Sequence, residues 1–461
     1  MRIHTVKAPF DDAFKDSLMA HERSSPALPR AFAARLATAL CFVLTLAGLS
    51  APAIHAQTSR IVYVQTNDPR PNQNSLLLYN RNSDGSLSQL GGPFLTRGTG
   101  FANPASLLGP NDADKSLIAS ADGRFLFAVN GGSNTIAVMR INSNGSLTHV
   151  PGSPFLSRGV QPGSLALTGN KLYVSNMNQD PGQGPNTFPP NYFNFSVNAD
   201  GSLVPNFLSK VESPIGAVPT QVLVTPDQKI LFALNLNIDF ISNPPNLFPT
   251  EIRMFKIQAN GTLAETISSQ QIVPPDATPP PQLPLPPVGL GLAAHPTRPI
   301  LYVGFVGSNR LGVYGYNSTT GLLSFVRSVP NSGLAICWLN VTKNGGRLFS
   351  TNTADASVSS YSLANPLVPV ETQTLILKDR GPAAPPGLPN LFSSGPFQFA
   401  LDVNDQFLYV TTHRVTTDPT VTAGNAIHII KVAADGTMTE PFPTLALPIP
   451  INARPGGIVA F

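Results

Sequence analysis

A four-residue turn signal, Asn or Asp followed by Gly, then Ser or Thr, then Leu, constrains this fold more than any other feature of the sequence. Clear copies begin at Asp84, Asn144, Asp200 and Asn260, and a looser copy begins at Asp435. The glycines at positions 85, 145, 201, 261 and 321 are 60, 56, 60 and 60 residues apart. Such a period indicates one supersecondary unit repeated around a continuous core.

Each copy lies between two short runs of β-type residues, such as Thr135–Ile141 before the copy at Asn144. Asn-Gly and Asp-Gly supply the positive φ that a tight hairpin turn needs. Another strand pair precedes each hairpin, as with 117–120 and 125–130 in the second unit. Four antiparallel strands make one propeller blade, and segments 320–323 and 365–367 fill the remaining slots of a seven-unit series.

The first unit begins directly at a second strand, Ile61–Gln65, with no inner strand before it. Segment 455–461 matches the lead-in to an inner strand seen at 162–165. We therefore predict an all-β, seven-bladed β-propeller of four-stranded antiparallel blades, closed into a ring by the C-terminal strand. Closure removes the exposed sheet edges that favour aggregation.

The N-terminus has the order of a secretory signal. Arg30 and Arg35 precede an apolar run, Leu36–Leu49, and small residues follow up to Ala56. This order predicts an N-terminal extension with a signal peptide in residues 1–56 and a propeller in residues 57–461. The run of 14 residues is shorter than the roughly 20 that cross a bilayer, which favours cleavage over a retained anchor. We expect a periplasmic or extracellular protein with no membrane span after cleavage.

The composition of the chain limits the kinds of partner and site that we expect. After residue 56 the chain has 23 Lys and Arg against 21 Asp and Glu, which gives no basic cluster for nucleic acid. Cys337 is the only cysteine after residue 56, so an intramolecular disulfide is excluded there. We expect Cys337 to be a buried structural thiol. No metal-ligand spacing or cofactor motif is present, so we predict no metal, no cofactor and a monomer.

The two faces of the predicted disc differ in their connections. The turn face carries the first-to-second and third-to-fourth connections of each blade, which are short almost throughout. The loop face carries the second-to-third and blade-to-blade connections, where nearly every insertion lies, including a proline-rich segment at 272–287. Binding residues gather on loops held by a rigid scaffold, so we predict that the loop face holds the functional site.

A repeated loop segment supplies two candidate cations. Residues 91–98 recur as 152–159, which places Arg97 and Arg158 in successive blade-to-blade loops. Two guanidinium groups near one opening bind a carboxylate or phosphate well. The alternative is that they satisfy loop carbonyls or pair with acids.

Three further candidates lie on the same face. Glu212 occupies the connection before the fourth blade, and His413 and Arg414 end the second strand of the seventh. A carboxylate or imidazole in a cleft serves as general base or acid, although a structural role is the alternative for each. We predict Arg158, Glu212 and His413 as catalytic residues and Arg97 and Arg414 as substrate-binding residues. Asn130, Asn176, Asn235 and Asn352 recur at second-strand ends, where capping of the adjacent loop is expected.

The second strands, such as Leu172–Asn176, together with the Asn/Asp-Gly-Ser-Leu turns, resemble the lactonase family of seven-bladed propellers. That family includes propeller-type 6-phosphogluconolactonases and carboxy-muconate cycloisomerases. The resemblance covers residues 60–461 and implies hydrolysis of a sugar lactone, with Arg158 and Glu212 matching the family's Arg and Glu. The family's His beside the proline of an inner strand has no counterpart at 160–164 or 218–221. The alternative function is a non-catalytic secreted propeller that binds a glycan, a peptide or a cell-envelope partner.

Overall fold

The computed structural model describes residues 60–101, 112–183, 188–239, 246–266, 270–271, 288–383, 391–416, 418 and 420–461. These residues form seven antiparallel sheets of at least four strands each, which confirms the all-β, seven-bladed propeller. The predicted signal peptide and the proline-rich segment 272–287 lie outside the described residues. Within the described ranges no helix is long and apolar enough to cross a membrane.

Each blade runs outward from an inner strand near the axis, and blades are numbered here in chain order from the one that contains Ile61. The inner strands of blades 1 to 7 are Ile458–Ala460, Leu117–Ala119, Pro162–Thr168, Ala217–Val224, Gly289–Ala294, Ile336–Val341 and Ser394–Leu401. The second strands are Ile61–Gln65, Phe125–Asn130, Lys171–Asn176, Ile230–Asp239, Ile300–Phe305, Arg347–Asn352 and Phe407–Arg414. The third strands are Ser75–Arg81, Thr135–Ile141, Asn191–Val197, Asn246–Ile257, Arg310–Asn317, Ser357–Ser362 and Ala426–Val432.

The outer strands are Leu87–Leu95, Leu147–His149, Leu203–Pro205, Leu263–Glu265, Leu322–Pro330, Val370–Ile376 and Met438–Thr439. In blades 2, 3, 4 and 7 a further short strand pairs with the third strand; these are Phe155–Leu156, Val211–Glu212, Gln270–Gln271 and Leu445–Ala446. Within the described connections, single-turn 3-10 helices lie at Gly131–Ser133, Pro181–Gln183 and Phe207–Ser209.

The hairpin turns have the backbone conformation expected from the sequence, and one predicted insertion is partly regular structure. The glycines of the predicted turns, at 85, 145, 201, 261, 321 and 436, have φ between 79° and 92°, as a tight hairpin requires. The insertion expected at 237–251 is partly a hairpin, because Asn237 pairs with Phe248 and Asp239 with Asn246. A register shift between Asn235 and Asn237 allows the second and third strands of blade 4 to stay paired into this insertion.

The C-terminal strand closes the ring, as predicted. Val459 is paired with Tyr63, and the Gly456 amide donates to the Gln65 carbonyl at 3.0 Å. The ring of Phe461 packs edge to face on Tyr63, with 6.2 Å between centroids. The residues that end the chain are therefore part of the hydrophobic core of blade 1.

A buried tyrosine links each odd-numbered blade to the next one. Tyr63, Tyr173, Tyr302 and Tyr409 occupy the third position of the second strands of blades 1, 3, 5 and 7, and phenylalanine occupies it in blades 2, 4 and 6. Each hydroxyl donates to a carbonyl in the outer hairpin turn of the next blade, namely Gly145, Gly261, Pro366 and Gly85. The repeated turn is therefore also an acceptor that fixes the spacing between blades.

Cys337 is buried in the core, as the sequence indicated. Its side chain lies within 3.1 Å of both the Ala335 carbonyl and the Thr353 hydroxyl, and 1% of the residue is exposed. Burial raises the pKa of this thiol to about 12, so the protonated, unreactive form is present at neutral pH.

Deleting segment 456–461 is expected to lower the melting temperature by about 10 °C, since it removes an inner strand worth several hydrogen bonds and a buried Ile458. Circular dichroism melts measure the shift. Ile451→Ala, in the exposed lead-in to this strand, is the matched control and is expected to melt like the parent protein. An unchanged melt of the deletion variant contradicts closure of the ring by this strand.

Tyr409→Phe is expected to destabilise the protein by about 1–2 kcal/mol, because the buried Gly85 carbonyl loses its hydrogen bond from the hydroxyl. Urea unfolding measures the change. Tyr79→Phe is the matched control, since its buried hydroxyl has no partner within the described structure and its loss should not destabilise. Equal effects of the two variants count against the link between blades 7 and 1.

Candidate functional site

On the loop face, blade-to-blade connections are fixed by the asparagines at second-strand ends. The Thr96 hydroxyl donates to Asn130 Oδ1 at 2.6 Å, and Asn176 Nδ2 donates to the Ser157 carbonyl at 3.3 Å. Asn331 makes the corresponding bond to Asn352 at 3.0 Å. These asparagines are structural, and each has at least one hydrogen-bond partner in the preceding blade or its connection and at least one in its own third strand.

Arg97 and Arg158 each directly follow a residue that is hydrogen-bonded to one of these asparagines. We call this hydrogen bond the clamp of the connection. Both are exposed, with φ of 60° and 67°. The glycine after each arginine packs so closely on the asparagine of the next blade that a side chain there would overlap it. Ser332 fills the same position in the blade 5 to blade 6 connection, so the clamp does not need an arginine. The two guanidinium groups are therefore presented to solvent by a scaffold that holds their backbone.

The Arg158 guanidinium lies over the ring of Phe207, 5.1 Å from its centroid. Phe207 belongs to blade 3 and is 68% exposed. An arginine stacked on a ring keeps its in-plane N–H groups free for an anion. Phe207 carries no motif, and the sequence analysis did not identify it.

Glu212 is exposed and binds Lys210, with 2.7 Å between Oε1 and Nζ. Its carbonyl accepts from Arg253 at 3.0 Å. The residue that corresponds to Thr96 and Ser157 is Ser213, because its amide binds the equivalent carbonyl of its own blade. Glu212 therefore corresponds to the residues two positions before Arg97 and Arg158, and not to the arginines themselves. No described contact joins Glu212 to Arg158.

The segment 112–116 fills the axis of the ring at the loop face. The Asp114 amide donates to the Thr220 carbonyl of blade 4 at 3.1 Å, and Gln398 of blade 7 donates to the Ala113 carbonyl at 2.7 Å. The Lys115 carbonyl accepts from Leu165 of blade 3 at 3.0 Å. The connection from blade 1 to blade 2 thus ties inner strands on opposite sides of the ring together.

His413 lies in the interior of blade 7, near the loop-face end of the second strand. It is fully buried, its ring packs edge to face on Phe397 at 5.2 Å, and neither ring nitrogen has a hydrogen-bond partner within the described structure. Burial, and then the charge of Arg454, lower the pKa of His413 to about 3. The imidazole is therefore neutral at physiological pH, and the described residues leave its hydrogen-bonding capacity unused.

Arg454 is a buried cation near His413, four residues before the closing strand begins at Ile458. Burial, and then the charge of Arg414, lower the pKa of Arg454, while the carboxylate of Asp112 acts in the opposite direction. Arg454 is 6% exposed and Asp112 is 7% exposed. The Arg414 guanidinium itself binds the carbonyls of Val421 and Asp418, so it fixes its own loop.

Asp114 is the second buried acid of the axial segment. Burial raises its pKa, the nearby charge of Lys115 opposes this, and its Oδ2 atom has no hydrogen-bond partner within the described residues. A carboxylate with a raised pKa is a stronger base than an exposed aspartate.

The structure thus divides the predicted site residues between two places. Arg454 interacts electrostatically with His413, Arg414 and Asp112, and Asp114 lies two residues from Asp112 in the axial segment; we call these five residues the axial cluster. Arg97, Arg158 and Glu212 lie further out and are exposed. Sequence analysis missed both aspartates and Arg454, although they lie three to five residues before an inner strand, where the chain enters the axis. Among the described residues no three His, Cys, Asp or Glu side chains gather as metal ligands.

No family model and no curated protein matches the chain. Solved structures do match. A candidate 6-phosphogluconolactonase from Bacteroides uniformis is 14% identical, with a TM-score of 0.60 over 87% of this chain and 99% of that protein. The periplasmic gluconolactonase of Pseudomonas aeruginosa is 17% identical, with a TM-score of 0.59 over 87% of this chain and 98% of that protein.

A candidate 6-phosphogluconolactonase from Bacteroides fragilis is also similar, at 17% identity and a TM-score of 0.56 over 85% of this chain and 97% of that protein. At these identities the comparisons show a common fold. The resemblance stated from the sequence is confirmed at that level: this chain has the seven-bladed fold of the lactonase-family propellers.

Proposed function

We propose that the protein is an exported hydrolase that opens a sugar lactone at the axial cluster on the loop face. The observation that carries the proposal is the meeting of buried ionisable groups from three remote segments, around 112–114, at 413 and at 454. Burying charged groups is costly, and perturbed ionisable groups cluster where proteins perform chemistry. The fold supports it, since two of the similar structures are named as 6-phosphogluconolactonase candidates and one as a periplasmic gluconolactonase.

Ester opening needs a base for water and a cation for the developing oxyanion. In the proposed reaction Asp114 takes a proton from water, whose oxygen attacks the lactone carbonyl carbon. Arg454 stabilises the negative charge on the carbonyl oxygen. The ring C–O bond then breaks, and the ring oxygen takes the proton from Asp114 to give the open hydroxy acid.

Neutral His413 binds a substrate hydroxyl through one of its unpartnered nitrogens. A pKa of about 3 makes this imidazole too weak a base for proton abstraction at neutral pH, so its role in the proposal is to orient the sugar. Arg414 holds the loop 415–425 and acts through that loop. Arg97 and Arg158 attract anionic lactones from solution, and Glu212 with Arg158 remains the alternative location for the reaction that the family resemblance suggests.

Asp114→Asn is expected to reduce kcat/KM for lactone opening by about 10²–10⁴, the contribution of a general base. The assay is a pH-indicator measurement on purified protein from residue 57 with neutral 1,4- and 1,5-sugar lactones. In the parent protein kcat/KM should fall on acidification through a pKa above that of an ordinary aspartate, because Asp114 must be deprotonated to act. Lys431→Gln, an exposed change on the turn face, is the control for handling and folding.

The double variant Arg158→Ala, Glu212→Ala tests the alternative location. Loss of turnover in this variant, with Asp114→Asn still active, would move the reaction away from the axial cluster. Absence of turnover on every lactone by the parent protein would reject the hydrolase and favour a binding protein.

The double variant Arg97→Gln, Arg158→Gln is expected to raise KM about tenfold for lactones that carry a carboxylate or phosphate. This is the effect expected when roughly one charge-assisted hydrogen bond to the substrate is lost. KM for neutral lactones and kcat for both classes should stay the same. Arg298→Gln, an exposed arginine of the turn face in blade 5, is the matched control. Equal effects on charged and neutral substrates contradict the proposed role of these arginines.

A further inference from the structure

The turns that join inner and second strands on the turn face have one exception in length, which lies in blade 3. Five residues join the inner and second strands in blades 2, 4, 5, 6 and 7, at 120–124, 225–229, 295–299, 342–346 and 402–406. In blade 3 only Gly169 and Asn170 make this connection. The turn of blade 3 is therefore three residues shorter than its neighbours on both sides.

A groove of about 780 Å³ lies over this short turn. The long turns of blades 2 and 4 form its walls, through Asp122, Arg124 and Gln228 among others, and Asn170 lies at its floor. A side chain added at Gly169 would meet nothing within 4 Å, which shows that the space above the floor is open. The volume is within the range of about 300–1,000 Å³ that holds small ligands.

The groove offers both donors and acceptors without a net charge. Arg124 and Asp122 form an ion pair at 2.5 Å, with each side chain about half exposed. Gln228 Oε1 accepts from Thr168 at 2.8 Å, which leaves its amide N–H groups for a ligand, and the Asn170 amide is exposed. Paired carboxylate, guanidinium and amide groups suit hydroxyl groups, each of which both donates and accepts.

Apolar surface complements these polar groups. Leu167 and Val197 line the groove and are half-buried. The Phe125 ring beneath them is 2% exposed, and the Arg124 guanidinium lies 5.2 Å from its centroid. The backbone here is already paired in turns and closed hairpins, so the groove presents no sheet edge to which an extended peptide could add. A cavity with apolar walls, mixed hydrogen-bonding groups and no net charge favours a sugar over a peptide or an anion.

We propose that this groove binds a neutral oligosaccharide of two or three units. The site lies on the face opposite the axial cluster and does not depend on lactone hydrolysis. Maltotriose, cellotriose and chitotriose are the probes, with trialanine as the peptide comparison, measured by calorimetry and saturation-transfer NMR. At least one trisaccharide should bind, with the NMR contacts assigned to its ring protons.

Replacing Gly169-Asn170 by the five-residue turn of blade 2, Ser-Ala-Asp-Gly-Arg, should fill the groove and weaken binding more than tenfold. Asn170→Ala and Gln228→Ala should each weaken it about fivefold to tenfold, as the loss of one hydrogen bond does; these two carry the test if the grafted turn does not fold. Gln406→Ala, an exposed amide in the corresponding turn of blade 7, is the matched control and should bind like the parent.

Three results would overturn the proposal. The first is that none of the trisaccharides binds at millimolar concentration. The second is that both point variants bind as tightly as the parent. The third is that trialanine binds and the sugars do not, which would identify the groove as a peptide site.

Discussion

The pairing of Ile458–Ala460 with Ile61–Gln65 is the constraint on which the rest of the structure depends, because a ring of blades has no free edge only when its first and last segments share a sheet. The same junction carries the Tyr409 bond to Gly85 and an ion pair of 3.1 Å between Arg81 of blade 1 and Asp402 of blade 7. With the ring closed, all seven inner strands enter the axis from the loop face. Whatever residue precedes an inner strand is then held near the same point.

That convergence explains the axial cluster. Asp114, His413 and Arg454 are distant in sequence, yet each lies at the loop-face end of an inner or second strand. Segment 112–116 closes the axis at the loop face, and its two carboxylates, Asp112 and Asp114, are buried there. Excluding water strengthens the field of every charge that remains, which is the condition that ester hydrolysis needs. The turn face obeys the same geometry, and one shortened turn is enough to open a groove between two ordinary ones.

The sequence predicted most of the fold, because it is a local repeat. Gly85 and its counterparts require positive φ wherever they occur, so their period identified the hairpins, and the missing inner strand before Ile61 identified the closure. The candidate site was less predictable. Arg97 and Arg158 were noticed because their loop repeats, although the repeat itself serves the clamp to Asn130 and Asn176. Asp114 and Arg454 do not repeat, so their sequence gave no signal beyond their place before an inner strand.

The sequence by itself determined the number of blades, their strand order, the closing strand and the burial of Cys337, since turn chemistry and hydrophobic alternation act between neighbouring residues. Only the tertiary structure decided which polar side chains meet. His413 is neutral because residues from distant blades surround it and Arg454 lies nearby, and the groove over Gly169 exists because the adjacent turns are longer. Both depend on distances between segments far apart in the chain, and these distances are fixed only when the ring closes.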